Sequence, residues 1–170
     1  MKTKGFFEMF IRYIILLLIG LLFYFTPFIY SILFKLTIVP SFLLINLFSE
    51  ASLSGSIITL NGLNIEIIPA CVALSAYFLL LILNLTTKMS IKKRVISLIF
   101  TYLSLLIFNV LRISLMTFLF LKGFAYFSFI HLLFWYVLST VFVVGIWFLS
   151  VKLFKIKSIP VYTDIKLIKD

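Results

Sequence analysis

Long apolar stretches separated by short polar segments dominate the chain. Four of them run from Phe10 to Tyr30, Pro69 to Leu85, Val95 to Leu121 and His131 to Val151. A helix needs about 20 mainly apolar residues to cross the hydrocarbon core of a bilayer, which is about 30 Å thick. The pattern therefore predicts an all-α integral membrane protein with about four transmembrane helices.

A fifth apolar stretch, from Ser31 to Phe48, is interrupted by Lys35 and Pro40. Proline removes a helical hydrogen bond and bends or breaks a helix, so three arrangements are compatible with this stretch. It lies in the membrane interface, it enters and leaves through the same face, or it spans the bilayer. The apolar pattern alone leaves the three open.

The polar segment before the second long stretch has a different pattern. Ser56–Leu60 and Leu63–Ile68 are typical of two short strands, and Asn61-Gly62 lies between them. Asn-Gly accepts the positive φ angles that a type I′ turn requires. The sequence therefore predicts a short external β-hairpin at about 56–68, packed on the helix ends or the membrane surface, because a lone hairpin is marginally stable.

Composition supports the membrane class. Of the 170 residues, 64% are hydrophobic and 12% are charged, and the mean hydropathy is +1.29, whereas soluble domains are nearer half apolar and a quarter charged. The basic and apolar N-terminal region resembles a signal peptide, but no small-residue cleavage site follows Gly20, which favours a retained anchor. A net charge of +10 would suit nucleic acid, but its placement indicates membrane topology, so no nucleic-acid partner is predicted.

Twelve of the 15 Lys and Arg residues fall in three clusters, at 2–12, at 88–94 and in the tail after Val151. Basic loops stay on the cytoplasmic side of a membrane. A cytoplasmic N-terminus and four crossings place all three clusters on that side. A further crossing by Ser31–Phe48 would move the N-terminal cluster outside, so the charges favour an interfacial or re-entrant helix there.

These patterns predict one membrane domain, over residues 1–170, of a multi-pass protein of the cell (plasma) membrane. An external hairpin at about 56–68 precedes a helical core at about 69–151, and a tail at 152–170 follows it. Both termini are predicted to be cytoplasmic.

Three residues that are rare in lipid fall at one predicted depth. Cys71 follows Pro69, which suits the first turn of a helix, so the cysteine opens a span that enters from outside. Arg112 lies 18 residues after Arg94, or about 27 Å along a helix, and so comes near the outer edge. His131 begins the last span at the same face. Three separate helices therefore bring a thiol, a guanidinium and an imidazole to the outer face.

These three groups suit thiol chemistry. A cysteine sulfur is a strong nucleophile, His131 could accept its proton and return it to a leaving amine, and Arg112 could stabilise an oxyanion. Asn109 precedes Arg112 by one helical turn and could orient it. Ser75 follows Cys71 by one turn and could line the same cleft. The predicted catalytic residues are thus Cys71, Arg112 and His131, with Asn109 and Ser75 in support.

Each residue also has a structural interpretation. Cys71 could be a small buried hydrophobe, Arg112 could extend its charge to the headgroups, and His131 could be an interfacial residue. Their shared depth favours a site, because ionisable groups within a membrane are usually functional. Glu66 either faces a substrate or is a solvated hairpin residue. The sequence shows no metal-ligand spacing and no cofactor motif, so no metal and no cofactor is predicted.

The order of these residues resembles the exosortase/archaeosortase family. The resemblance is carried by Ile68-Pro-Ala-Cys71, by Phe108-Asn-Val-Leu-Arg112-Ile and by His131 ahead of the last span, with Asn61-Gly62 upstream of the cysteine. It covers about Ser56 to Phe148, and the Asn-Val-Leu-Arg-Ile block is its most specific part. The family often has a small polar residue and Gly after the cysteine, whereas this chain has Val72-Ala73, which narrows the cleft or marks a divergent subgroup.

The resemblance implies a membrane-embedded cysteine protease or transpeptidase of the protein-sorting type. Its expected partners are exported proteins with a C-terminal tail made of a short motif, a transmembrane helix and a basic end. Cleavage would occur at the outer face through a thioester on Cys71, and the new C-terminus would pass to water, a lipid or another acceptor. Arg112 would stabilise the thiolate or the transition state, and His131 would act as acid and base.

Two other functions compete with this one. In a non-catalytic helical scaffold or assembly factor, the three polar residues would only hold helices together. A small transporter is less compatible, because transporters usually show internal repeats and broken helices near the membrane midplane.

Overall fold

The computed structural model describes residues 10–11, 14–20, 27–87 and 89–156. The helices are α1 (Pro27–Asn46), α2 (Leu74–Thr86), α3 (Ile91–Leu121), α4 (Phe127–Leu133) and α5 (Ser139–Leu153). A 3₁₀ turn, Pro69–Val72, precedes α2, and a π-helical segment, Phe134–Leu138, joins α4 to α5. The strands are β1 (Ala51–Ser54), β2 (Ile57–Leu60) and β3 (Leu63–Glu66). The described part is thus mostly helical with one small sheet.

Four helical stretches of the described part are long and apolar enough to cross a membrane, namely Pro27–Asn46, Pro69–Thr86, Ile91–Leu121 and Phe127–Leu153. The last three agree with the second to fourth predicted spans, apart from a few residues at their ends. Much of their surface is apolar and open. One stripe of α3 leaves each of Ile99, Leu103, Ile107 and Leu111 more than half exposed. Soluble proteins rarely expose so large an apolar patch, and such a stripe suits contact with lipid.

The first of these stretches differs from the prediction. α1 begins at Pro27, inside the predicted first span, and continues without a break through Pro40 to Asn46. Positions 10–11 and 14–20 are also helical, whereas residues 21–26, the basic residues at 2–9 and 12, and the tail at 157–170 lie outside the described residues. The stretch Ser31–Phe48, predicted to be interfacial or re-entrant, therefore belongs mainly to a helix that has the length and composition of a span.

Packing explains why Pro40 does not end α1. The buried side of α1 follows a four-residue spacing, Leu33, Thr37, Ser41 and Ile45, and α1 packs extensively on α3. Small polar residues on such a face let two helices approach closely. The resulting contact outweighs the one backbone hydrogen bond that a proline removes.

The sheet is an antiparallel meander in the order β1-β2-β3. Its second hairpin confirms the predicted turn, because Asn61 and Gly62 have φ angles of 48° and 79°, both positive as a type I′ turn requires. β1 was not predicted. The apolar face of the sheet buries Ile58 and Leu60 completely against residues of α1 and α3. This contact with the helices supplies the stability that an isolated hairpin lacks.

The opposite end of the bundle carries the basic residues Lys92, Lys93 and Arg94 at the start of α3, and we call it the basic end. A buried polar cluster closes it. The Asn84 amide donates to the Ser97 hydroxyl at 3.1 Å, and the Ser97 and Ser150 hydroxyls lie 2.9 Å apart. The cluster links α2, α3 and α5, so the bundle is fixed at the end farthest from the sheet.

Candidate active site

A pocket of about 290 Å³ opens at the end of the bundle where the sheet lies, and we call this the pocket end. Its wall is formed by β3, the 3₁₀ turn, the last ten residues of α3, α4 and the π-helical segment. Cys71, Arg112 and His131 all line it. The three predicted catalytic residues therefore share one pocket, although they come from three different segments of the chain.

Cys71 is held through its backbone on both sides. Its N–H donates to the Ile68 carbonyl at 2.8 Å, and its own carbonyl accepts a hydrogen bond of 2.7 Å from the Asn109 amide. Pro69 begins the 3₁₀ turn, as its fixed φ angle favours. The side chain is a free, half-buried thiol. The local structure thus fixes the position of the backbone and leaves the sulfur available in the pocket.

Ala73 separates this turn from α2. It has φ 58° and ψ 36°, the left-handed conformation, and it serves as the C-cap of the turn and the N-cap of α2. Cys71 therefore lies in a turn of its own and not in the opening turn of the long helix. For the same reason Ser75 does not lie one α-helical turn below Cys71. Ser75 is exposed and does not line the pocket, so the predicted support from Ser75 is absent.

Asn109 has a different partner from the predicted one. It is buried, and its amide donates to the Cys71 carbonyl rather than orienting Arg112. A buried amide needs such a partner, because an unsatisfied polar group in an apolar surrounding costs about 1–3 kcal/mol. The bond ties the middle of α3 to the turn that carries the cysteine.

Arg112 is oriented by Ser139, which sequence reasoning did not identify. Its Nη1 donates to the Ser139 hydroxyl at 3.1 Å, and that hydroxyl donates in turn to the Phe134 carbonyl. The guanidinium lines the same pocket as Cys71. The signal for Ser139 in the sequence is weak: a serine beside a threonine inside an apolar span.

The π-helical segment lies directly before Ser139. Ser139 follows His131 by eight positions, which in a regular α-helix is about 2.2 turns and places the two about 80° apart around the helix axis. A π turn holds more residues and so changes the direction in which the following helix faces. The Ser139 N–H and hydroxyl both bond the Phe134 carbonyl. Such π segments often occur at functional sites.

His131 lies in a row of aromatic rings that begins on α4 and continues into the π-helical segment. Its ring is parallel to that of Phe127, with an interplanar angle of 6° and 5.7 Å between centroids, and Trp135 lies 6.0 Å away on the other side. All three line the pocket, at the four-residue spacing of one helical face. The imidazole is therefore positioned by stacking and remains exposed.

Glu66 is the carboxylate of the pocket lining, and it lies on β3. Of its two predicted interpretations, the one in which it faces the cleft agrees with this position, and the side chain is also exposed to solvent. Within the described residues, no group of three or more His, Cys, Asp or Glu side chains is arranged to hold a metal ion. The pocket thus presents a thiol, a guanidinium, an imidazole and a carboxylate.

No family model, no curated protein sequence and no solved structure matches this chain.

Proposed function

We propose that this protein is a membrane-embedded cysteine peptidase or transpeptidase of the exosortase/archaeosortase type. It cleaves the C-terminal sorting tail of exported, membrane-anchored proteins through a thioester. The observation that supports the proposal most is the common pocket of Cys71, Arg112 and His131. These three residues also carry the family resemblance.

In the proposed reaction, the Cys71 sulfur adds to the carbonyl carbon of the peptide bond that joins the exported domain to its tail, and the thiol proton passes to His131. The tetrahedral oxyanion then collapses, the carbon–nitrogen bond breaks, and the tail amine leaves with the proton from His131. Water, a lipid or another acceptor attacks the thioester carbonyl and loses its proton to His131. The carbon–sulfur bond breaks, and Cys71 regains the proton.

Arg112 would stabilise the negative charge that forms in this reaction. One of its nitrogens is bonded to Ser139, which fixes the plane of the guanidinium, and the group lines the same pocket as Cys71. A positive charge that is already oriented stabilises a thiolate or an oxyanion without reorganisation during the step. Asn109 would act through Cys71, by holding its carbonyl and hence the direction of its side chain.

The proposed site faces outside. The pocket lies at the end of the bundle opposite Lys92, Lys93 and Arg94, and the basic end is cytoplasmic by the distribution of charge. With α1 as one of four crossings, and with the helical residues at 10–11 and 14–20 lying along the membrane, the tail after α5 and the N-terminus are both cytoplasmic. The protein is then a multi-pass protein of the cell membrane.

A reporter pool tests the activity. Each reporter has an exported domain, six randomised residues, a single leucine-rich span and a basic end, and it is co-expressed with the wild-type protein or a variant. We expect the wild type to release the domain of a subset of reporters, and Cys71→Ala, Arg112→Ala and His131→Ala each to lower release at least about 100-fold. Ser75→Ala, an exposed change outside the pocket, is the control and keeps wild-type release. Release by Cys71→Ala would reject the nucleophile.

The alternative is a non-catalytic scaffold, and two contacts favour it. The stacking of His131 on Phe127 and the bond from Arg112 to Ser139 both join structural elements. A membrane-impermeant maleimide separates the two functions, because an activated thiol that faces outside reacts rapidly at neutral pH. Inertness of Cys71 to both permeant and impermeant reagents would favour the scaffold.

A further inference from the structure

β3 leaves one backbone edge unpaired in the described sheet. It has β2 on one side only. The two-residue turn makes Leu60 and Leu63 a hydrogen-bonded pair, and Ile58 and Ile65 follow two residues further along the register. Hydrogen-bonded and non-bonded pairs alternate in an antiparallel ladder. The N–H and C=O groups of Asn64 and Glu66 therefore point away from β2.

This open edge borders the pocket. Residues 64–67 all line the pocket, four in succession. Since the side chains of a strand alternate between its two faces, a pocket that touches four consecutive residues runs along the edge of the strand and not over one face. The outward backbone groups of Asn64 and Glu66 thus border the same pocket as Cys71.

The other edge of the sheet, formed by β1, differs from the β3 edge in two ways. On β1, the Ala51 N–H donates to the Asn46 side-chain oxygen at 2.9 Å, and no residue of β1 lines the pocket. Proteins usually protect exposed edges, because an unpaired edge invites another strand. Here a side chain from the end of α1 occupies a donor of the far edge, whereas the edge beside the cysteine is open.

We propose that the β3 edge binds an extended peptide segment as a fourth strand and so guides the scissile bond to Cys71. The proposal rests on the proposed function, and the peptide is the segment of an exported protein that precedes its membrane tail. Backbone pairing gives affinity that depends little on sequence, and pockets for alternate side chains give specificity. The segment lies between β3 and the ring of Phe127 on α4, which lines the pocket as well.

The size of the pocket selects this occupant over a second copy of the chain. A volume of about 290 Å³ is at the lower limit of ligand pockets. It holds a short stretch of peptide with its side chains. The sheet of a second copy would need open space beside the whole edge, whereas Phe127 and Trp135 line the same small pocket as β3.

Proline substitutions test the pairing in the protein as it exists. Glu66→Pro removes the outward N–H of β3 and leaves the bonds to β2, because edge strands tolerate proline where the N–H faces outward. Leu53→Pro is the matched control, since Leu53 pairs with Ile58 and its N–H faces outward on β1. The reporter pool is the probe, with the Cys71→Ala chain used to measure capture without cleavage. We expect Glu66→Pro to lower reporter capture about tenfold, Glu66→Ala to lower it less, and Leu53→Pro to leave it unchanged.

A photo-crosslinking amino acid supplies a second measurement that needs no proline. Placed at position 66 it should capture reporters, and placed at position 53 it should not. Wild-type capture by a folded Glu66→Pro chain, a loss with Glu66→Ala as large as with Glu66→Pro, or equal crosslinking from both positions would each overturn the proposal. If Glu66→Pro fails to fold, the crosslinking decides.

The two proposals fail in different ways in this experiment. Capture at position 66 together with no release by the wild-type protein would reject the peptidase and keep the docking edge. Release that is unaffected by Glu66→Pro would reject the docking edge and keep the peptidase.

Discussion

Two arginines of α3, Arg94 in its first turn and Arg112 in its last ten residues, have opposite surroundings. The guanidinium of Arg94 donates to the carbonyls of Leu85 and Thr87, at 3.0 and 3.1 Å. These carbonyls lie at the end of α2 and have no partner within that helix, so Arg94 caps it. Arg112 instead donates to the Ser139 hydroxyl and lines an open pocket. The difference separates an arginine that completes a helix end from one that is left available to a ligand.

The asparagines at the two ends differ in the same way as the arginines. At the basic end, the Asn84 amide donates to the Arg94 carbonyl and to the Ser97 hydroxyl, inside a closed cluster. At the pocket end, Asn109 makes the corresponding bond to the Cys71 carbonyl, directly beside open space. The same residue types thus stabilise the fold at one end and hold the backbone of a free cysteine at the other.

Substituting Arg112 should lower reporter release and change stability little, whereas substituting Arg94 should do the reverse. The effect at Arg112 should be the larger of the two. Arg112→Lys keeps the charge and loses the planar guanidinium, so we expect reporter release to fall at least about 100-fold. The thermal midpoint in detergent should change little. Release is measured at equal protein levels. Wild-type release by Arg112→Lys would assign Arg112 to helix packing and remove the contrast.

Arg94→Lys is the matched variant at the basic end. Lysine has one side-chain nitrogen and cannot replace both hydrogen bonds to the Leu85 and Thr87 carbonyls. We therefore expect the free energy of unfolding to fall by about 1–2 kcal/mol. Release per folded molecule should stay at the wild-type level. A fall in that quantity would show that the two ends are coupled.

Asn109→Ala should give the next largest effect. The Cys71 carbonyl loses its partner, the turn is free to shift, and a displacement of about 1 Å near a reacting group costs up to about 100-fold in rate. We therefore expect release at saturating reporter to be about 10- to 100-fold slower. Capture of reporters, measured with Asn109→Ala in the Cys71→Ala chain, should change little. A change in capture alone would show that Asn109 acts on binding.

Asn84→Ala is the control for this change. It removes an amide that also donates to a backbone carbonyl, at 3.3 Å, but at the basic end. It should lower the thermal midpoint and leave the release per folded molecule unchanged.

Ser139→Ala should give a moderate effect. Arg112 keeps its charge and loses the hydroxyl that fixes its orientation. Because water in the open pocket can replace that hydroxyl, we expect a loss near that of an ordinary hydrogen bond, about 0.5–1.5 kcal/mol. That energy corresponds to release that is about three- to tenfold slower. Ser150→Ala removes a buried hydroxyl bond to Ser97 and should affect stability alone. Equal release by both variants would remove the positioning role of Ser139.

The sequence predicted the parts of this arrangement that depend on repeated pattern. Long apolar stretches have one stable arrangement in lipid, and Asn61-Gly62 has one favoured turn, so most helices and the hairpin were found. Charge counting and helix length placed Cys71, Arg112 and His131 at one depth, and the structure brings them to one pocket. Their chemical roles remain predictions.

The parts that the sequence missed depend on contacts between distant residues. Lys35 and Pro40 suggested an interrupted stretch, and the charge distribution then favoured an interfacial or re-entrant helix. Neither rule includes the packing of α1 on α3. Ser75 was placed by assuming a regular helix after Cys71, whereas Ala73 adopts a left-handed conformation. Ser139, which bonds Arg112, follows a π-helical segment that changes the direction in which the helix faces, and no periodicity indicates that segment.

Ala73 gives the smallest expected effect and the clearest test of the turn at Cys71. Its φ of 58° costs a residue with a Cβ about 1–2 kcal/mol, whereas glycine adopts it freely. Glycine also loses more backbone entropy on folding, about 0.5–1 kcal/mol. The strain relieved exceeds the entropy lost, so we expect Ala73→Gly to raise the free energy of unfolding by about 0.5–1 kcal/mol.

The matched change is Ala76→Gly, within α2, which should lower stability by about 1 kcal/mol because the backbone there is helical. Opposite signs for the two substitutions, measured by thermal unfolding in the same detergent, would show that the chain reverses its backbone handedness immediately after the cysteine. Two losses of equal size would mean that α2 continues unbroken to Cys71. In that case Ser75 would face the pocket as the sequence predicts, and Asn109 would no longer be the group that holds the Cys71 turn in place.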